Sequence, residues 1–243
     1  MNQNPWPGSG LDPEKAHCLA GLSRPELMNI PLCQSNEADP SSFGCDQDWY
    51  SEAWQRQAGC GPCTSATMLL YLARSQPFFR PLYPLIEQNH DQANFTLFME
   101  KIWHYVTPGR MGVNEASMLT SGVARFADSY AIALESAVFP VPGQMNHRKP
   151  LSSFVQFIAD GLNLDSPVAF LNLSNGRLDN LDSWHWITLV ALYEYADQTI
   201  WSDVSDSGER KLINLSLWYQ TSRLGGAAAY FYPAAPHADD EHP

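Results

Sequence analysis

A cysteine and a distant histidine carry the strongest chemical signal in this chain. Cys60 lies in the sequence Gln-Ala-Gly-Cys-Gly-Pro-Cys (57–63), where a helix is expected to begin, and His185 opens the apolar sequence His-Trp-Ile-Thr-Leu-Val (185–190). A cysteine acts as a nucleophile when positive potential and a neighbouring base or cation favour its thiolate. The unpaired N–H groups of a helix start supply the potential, and a histidine brought close by the fold supplies the base. The two residues therefore predict a cysteine-nucleophile hydrolase.

The sequence Cys60-Gly-Pro-Cys63 also matches the redox motif of thioredoxins, which predicts a thiol–disulfide oxidoreductase. In a thioredoxin, the cysteine pair follows a buried strand that runs directly into the helix. Here residues 46–59 are mostly polar and contain no apolar run long enough for a central strand. The hydrolase interpretation is therefore favoured, and the redox interpretation is the alternative.

Two cysteines compete for the role of nucleophile. Pro62 suits the first turn of a helix, which places Cys60 at or just before the N-cap, facing the free N–H groups. Cys63 would lie one turn inside the helix and is interpreted as a core residue or a disulfide partner. The helix geometry favours Cys60, and Cys63 is the alternative.

Helices precede strands along the chain. Hydrophobic periodicity predicts helices at 62–74, 95–106, 114–127 and 152–162. Apolar runs bounded by polar turns predict strands at 166–173, 185–195, 199–204, 212–219 and 227–232. Helices followed by an antiparallel sheet indicate the α+β class, with Cys60 at a helix start and His185 at a strand start.

The order of these features resembles that of the papain-like superfamily of cysteine peptidases, above all its peptidase C39-like branch. The resemblance covers roughly residues 50–232 and rests on Cys60-Gly-Pro at a helix start, Ser166-Pro-Val before an apolar strand, and a strand opening with His185. It implies N-terminal helices packed against a C-terminal antiparallel sheet, a thioester intermediate, and a peptide or protein substrate. An amidase or an acyltransferase on the same kind of site is the second possibility.

The resemblance also implies roles for a carboxylate and an amide. Asp203, 18 positions after His185, is expected to orient the imidazole, because a strand, a turn and a second strand bring it back beside His185. Asp206 is the alternative. Gln57 is expected to donate its side-chain amide to the oxyanion, and Gln55 is the alternative.

The papain-type signature Gln-x-x-Cys-Gly-x-Cys matches residues 57–63 letter for letter, which taken alone would make Cys63 the nucleophile. The separation of 125 positions between Cys60 and His185 is long for the C39-like branch and implies a helical insertion at about 78–150. Composition predicts a loop-rich arm or pro-region at 1–45, the catalytic domain at 46–232 and a disordered tail at 233–243.

Charge and hydropathy indicate which classes of binding partner are excluded. A formal net charge of −12 argues against a nucleic acid, because phosphates bind clustered Lys and Arg. No window approaches the ~18 consecutive apolar residues of a membrane helix. The first ten residues lack the basic and apolar regions of a secretory signal, which predicts a protein that is cytoplasmic or exported without a cleavable signal. A single Cys-x-x-Cys is not a zinc pattern, and we expect no metal or organic cofactor.

Overall fold

The computed structural model describes residues 15–33, 40–84 and 91–235. The α-helices are α1 (Ala53–Ala58), α2 (Cys60–Ser75), α3 (Gln92–Trp103), α4 (Ala116–Asp128), α5 (Leu151–Asn163) and α6 (Leu215–Thr221). The strands are β1 (His17–Gly21), β2 (Asn29–Pro31), β3 (Ser41–Phe43), β4 (Leu134–Val141), β5 (Val168–Asn172), β6 (His185–Glu194), β7 (Ile200–Asp206), β8 (Glu209–Asn214) and β9 (Gly226–Pro233). Short 3-10 helices lie at Pro25–Met28, Gln47–Trp49, Pro77–Leu82 and Met145–His147.

A seven-stranded antiparallel sheet forms the centre of the fold. Its strands follow the order β4-β9-β5-β6-β7-β8, and β1 pairs with the C-terminal part of β6. Strands β2 and β3 form a separate two-stranded sheet. Helices packed on an antiparallel sheet confirm the predicted α+β class.

The large sheet separates two hydrophobic cores, because alternate residues of a strand point to opposite faces. In β5, Ala169 and Leu171 join the core built around α2, α3 and α4, whereas Val168 and Phe170 join the core that contains α5 and α6 residues. Helix α2 is buried from Gly61 to Ala73, which explains why its sequence is small and apolar on every side. This burial fixes Cys60, the first residue of α2, near the start of β6.

Two predicted elements differ from the structure. The expected strand 212–219 is instead the end of β8 followed by α6, because the Asn214 side chain caps the new helix by accepting a 2.8 Å hydrogen bond from the Leu217 N–H. The expected helical insertion at 78–150 contains α3 and α4 but also the eight-residue strand β4, which pairs with β9.

The described part of the predicted N-terminal arm belongs to the folded domain. β1 pairs with β6, and the side chains of Met28 and Ile30 are fully buried. Strands of three to five residues are too short to produce a visible hydrophobic period, so composition alone indicated loops. Residues 1–14, 34–39 and 236–243 of the predicted arm and tail lie outside the described residues. In the ranges that are described, no helix has both the length and the apolar character that a membrane span requires.

Candidate active site

Cys60 is the first residue of α2, and tightly packed glycines flank it. A Cβ on Gly59 would lie 2.4 Å from the Gln55 carbonyl oxygen, and a Cβ on Gly61 would lie 2.7 Å from the Val113 side chain. Both positions therefore require glycine because the neighbouring chain approaches so closely. Cys60 itself is half-buried, so its thiol is anchored by its neighbours and still reaches the surface.

The start of α2 presents free N–H groups near this thiol. The Cys63 N–H already donates to the Gly59 carbonyl oxygen at 2.9 Å, and Pro62 has no N–H. The N–H groups of Cys60 and Gly61 therefore remain as the first-turn donors without an intrahelical partner. They and the helix dipole favour negative charge at this point, either on the thiolate or on an oxyanion.

His185 is the first residue of β6 and lines the same small pocket as Cys60. The residue before it, Trp184, has a φ of 57°, a left-handed conformation that costs energy in a residue with a Cβ. Asn172, which pairs with His185 across the β5–β6 ladder, donates its side-chain amide to the Asp182 carbonyl oxygen. The loop leading to His185 is therefore tied to the sheet, and this fixes where the imidazole enters the pocket.

Asp206, at the end of β7, is the carboxylate beside the histidine. His185 Nε2 and Asp206 Oδ1 are 2.7 Å apart. The Ser207 hydroxyl donates to the same oxygen at 3.1 Å, and Lys211 Nζ lies 3.3 Å from Oδ2. Burial acts to raise the pKa of Asp206, but His185 and Lys211 outweigh it and the pKa is lowered. Asp206 is thus a carboxylate at neutral pH.

The same contacts act on the histidine in the opposite direction. Burial acts to lower the pKa of His185, but its hydrogen bonds to Asp206 and Cys60, and their charges, raise that pKa to about 10. With Nε2 on Asp206, the Nδ1 atom is the ring nitrogen available to Cys60. His185 is therefore an imidazolium at neutral pH, the form that favours a thiolate on a neighbouring cysteine.

The structure corrects the expected position of Asp203. The Asp203 carboxylate is fully buried and binds Arg210, whose Nε and Nη2 atoms lie 2.8 Å and 2.5 Å from Oδ2. Thr188 of β6 lies opposite Ser205 of β7, so alternation puts His185 and the even-numbered Asp206 on one face and Asp203 on the other. A separation of 18 positions brings Asp203 back beside β6, but the face on which its side chain lies depends on this register.

The two cysteines of the Cys-x-x-Cys motif have different surroundings. Cys63 is buried, and its Sγ atom lies 2.6 Å from Sγ of Cys45, which precedes α1. Burial, reinforced by the contact with Cys45, raises the pKa of Cys63 well above its ordinary value. Of the two, Cys60 is the one that faces the imidazole.

Cys60 borders two cavities of different character. A small pocket of about 20 Å³ is lined by Cys60, His185 and Asp206 together with residues from the 3-10 turn and β7. A wider cleft of about 270 Å³ lies on the other side of the thiol, with Gln57, Trp54 and residues 110–114 in its wall. An extended substrate could lie in this cleft with its reacting carbon at Cys60.

The two candidate glutamines point to different places. Gln57 is exposed and lines the wider cleft next to Cys60. Gln55 is buried, and its Nε2 donates to Glu100 Oε2 at 2.6 Å, which ties α1 to α3. Of the two, Gln57 is the glutamine that lines the same cleft as Cys60.

Two contributors to the site were not singled out from the sequence. Lys211 holds Asp206 from the neighbouring strand β8, a cross-strand contact that no local pattern reveals. Residues 110–114 form one wall of the cleft and are held by Trp186, whose Nε1 donates to the Val113 carbonyl oxygen at 2.5 Å. The sequence Pro-Gly-Arg-Met-Gly (108–112) is a turn signal that could have marked this wall.

Among the described residues, no three His, Cys, Asp or Glu side chains form a group that could hold a metal ion. Comparison with known proteins adds no identification, since neither a protein-family model nor a curated protein matches this chain. The function of this chain is therefore inferred from the geometry around Cys60.

Proposed function

We propose that this protein is a cysteine hydrolase that cleaves an amide bond through a thioester. Cys60 is the nucleophile, His185 the acid and base, and Asp206 the carboxylate that orients His185. The observation that carries the proposal is the 2.7 Å contact between His185 Nε2 and Asp206 in a pocket that Cys60 also lines. A peptide or protein is the preferred substrate, in keeping with the papain-like and C39-like peptidases that the sequence resembles.

In the first half of the reaction, the Cys60 thiolate attacks the carbonyl carbon and forms a carbon–sulfur bond. The carbonyl oxygen becomes an oxyanion, which the N–H groups of Cys60 and Gly61 can stabilise, with the Gln57 side chain as a further donor. When the intermediate collapses, the carbon–nitrogen bond breaks and His185 gives its proton to the departing amine. The acyl group is then held as a thioester.

In the second half, neutral His185 removes a proton from water, and the resulting hydroxide attacks the thioester carbon. The carbon–sulfur bond breaks, the carboxylic acid product leaves, and the thiolate–imidazolium pair returns. Asp206 keeps the ring in place throughout and stabilises its charged form. An acceptor other than water would make the same site an acyltransferase, and a non-peptide amide would make it an amidase.

The thiol–disulfide oxidoreductase alternative has less support. It requires Cys60 and Cys63 to exchange a disulfide, but the sulfur in contact with Cys63 is that of Cys45. It also gives no role to the His185–Asp206 pair. The hydrolase proposal gives the His185–Asp206 pair a role and does not require Cys63 to react.

The proposal can be tested by alkylation with iodoacetamide as a function of pH, with each cysteine quantified by mass spectrometry. In the wild-type protein, Cys60 should react well below pH 7 and faster than the exposed Cys33. His185→Ala should slow Cys60 at least about tenfold at pH 6, because the cation that favours the thiolate is removed. His104→Ala removes an exposed histidine from the end of α3 and serves as the matched control.

Fast alkylation of Cys60 that is unaffected by His185→Ala would contradict the thiolate–imidazolium pair. Alkylation of Cys63 in place of Cys60 would overturn the choice of nucleophile. A mutual Cys60–Cys63 disulfide that blocks both residues until reduction would support the oxidoreductase.

A further inference from the structure

Two cysteines that have no part in the proposed reaction lie directly behind the site. Cys45 is 3% exposed and Cys63 is 6% exposed, and their Sγ atoms are 2.6 Å apart. Non-bonded heavy atoms normally pack at roughly 3.5–4.0 Å, and a disulfide bond is about 2.05 Å long. The two sulfurs are therefore already closer than a packing contact, with their side chains directed at each other.

The backbone around Cys45 is held in this position by α2. The Cys45 N–H donates to Thr67 Oγ1 at 3.2 Å, and Cys45 Sγ lies 3.3 Å from the same hydroxyl and 3.1 Å from the Cys63 carbonyl oxygen. These contacts bind the segment before α1 to two successive turns of the helix. Little movement is needed for the sulfurs to join, which is the geometric condition for a cross-link.

The surroundings of the pair differ from those of a reactive thiol. The nearby histidine is directed at Cys60 and Asp206. Burial raises the pKa of the Cys63 thiol well above its ordinary value, so a thiolate is disfavoured there. Both cysteines nevertheless line the small pocket, beside Cys60 and His185.

We propose that Cys45 and Cys63 are a disulfide site and that Cys60 is excluded from the bond. The oxidant is another disulfide, of the glutathione type or in a dithiol oxidoreductase. One protein thiolate attacks the oxidant disulfide and displaces a thiol, and the second protein thiol then displaces the other. Two S–H bonds are lost, one S–S bond forms, and the oxidant leaves as two thiols that carry the two electrons and two protons.

The bond would cross-link the loop from 45 to 63, a span of 18 positions that contains α1 and the nucleophile. It would tie the 3-10 turn Gln47–Trp49, which lines the small pocket through Gln47, to α2. A cross-link of this length restricts the unfolded chain and stabilises the fold. This inference does not depend on the hydrolase proposal, because it concerns cysteines outside the reacting pair.

The test uses the whole protein, treated with oxidised glutathione, digested with trypsin without reduction and analysed by mass spectrometry. Cleavage at Lys15, Arg56 and Arg74 yields two peptides that contain all five cysteines. Peptide 16–56 contains Cys18, Cys33 and Cys45, and peptide 57–74 contains Cys60 and Cys63. These two peptides should be joined. The joined species should persist in Cys60→Ala and vanish in Cys63→Ala and Cys45→Ala, whereas Cys18→Ala and Cys33→Ala should retain it.

A second measurement makes its main comparison on the wild-type protein and uses a variant only as a control. A reducing agent should lower the Tm of the oxidised wild type by roughly 5–10 °C, because the unfolded chain regains its freedom. The same reducing agent should leave the Tm of Cys45→Ala unchanged. Free alkylation of all five cysteines in denaturant after oxidation, or a joined species that requires Cys60, would overturn the proposal.

Discussion

Cys60 and Cys63 lie one helical turn apart in α2, yet their surroundings have little in common. Cys60 is half-buried at the helix start, borders both cavities and shares the small pocket with His185. Cys63 is buried among apolar side chains and touches the thiol of Cys45. A shift of three residues along a helix start therefore separates a thiol that can be activated from one that can only be buried or cross-linked.

Asp203 and Asp206 repeat this contrast on β7. Asp206 reaches His185 at the end of β7, whereas Asp203 is fully buried and paired with the partly exposed Arg210. Cys60 and Asp206 lie in the pocket with His185. Cys63 and Asp203 make their main contacts with other groups, Cys45 and Arg210. Residue type and approximate position therefore do not decide the role of a side chain, whereas the face on which it lies does.

The strongest test of the cysteine comparison is a pair of alanine variants. Cys60→Ala should reduce hydrolysis of a peptide substrate by more than about 1,000-fold, because the covalent route is lost. Cys63→Ala should retain turnover within a few-fold and should instead lower the Tm, since a buried side chain is removed. The measurements are turnover and Tm of Cys60→Ala and Cys63→Ala, with Cys33→Ala as the control.

Retained turnover in Cys60→Ala together with its loss in Cys63→Ala would reverse the assignment of the nucleophile. Loss of turnover in both variants with an unchanged Tm would show that the two turns of the helix are not functionally distinct.

Variants of Asp206 and Asp203 should likewise differ in kcat and in Tm. Asp206→Asn should lower kcat by roughly 10²–10⁴-fold, because the amide no longer holds the charged imidazole in place. Asp203→Asn should leave kcat within a few-fold and lower the Tm by roughly 3–8 °C, because Arg210 loses its charged partner. Steady-state kinetics and thermal unfolding of both variants are the measurements. Equal kinetic losses in the two variants would remove the distinction.

A smaller effect should separate the two glutamines of α1. Gln57→Ala should lower kcat by roughly 10–100-fold with an unchanged Tm, since one oxyanion donor is removed from the cleft. Gln55→Ala should lower the Tm and leave kcat nearly unchanged, because it loses the bond to Glu100 inside the fold. A kinetic loss confined to Gln55→Ala would transfer the oxyanion role to that residue.

The charge on His185 should make the stability of the protein depend on pH. The pKa of His185 is raised from 6.5 to about 10 in the folded protein, so its charged form adds stability that is complete below pH 6.5. This contribution is lost as the pH rises from about 6.5 to about 10. The Tm of the wild type should therefore exceed that of His185→Gln most at pH 6, and the difference should narrow by pH 10.

His104→Gln provides the control for that experiment, because this exposed histidine has no link to Asp206. The Tm of His104→Gln should equal the Tm of the wild type at each pH. A wild-type advantage over His185→Gln that stays constant between pH 6 and pH 10 would contradict a charged histidine in the site.

The main helices and most strands could be predicted from sequence because each carries its own periodicity. The helix start at Cys60 and the strand start at His185 follow from Pro62 and from the apolar run after His185, and the structure has both. The strand β4 does not stand out in the sequence because Glu135, Ser136 and Pro140 interrupt its apolar alternation. The short strands at 17–21, 29–31 and 41–43 were missed because their stability comes from pairing and burial.

A cysteine at a helix start and a histidine at a strand start in an α+β protein follow from the sequence alone, since both signals are local. The tertiary structure is what places Asp206, and not Asp203, beside His185, because that choice depends on strand register and face. It also decided that Cys63 meets Cys45, residues that are 18 positions apart and share no local pattern. Contacts between distant segments are set by how the whole chain packs, and no short stretch of sequence contains that information.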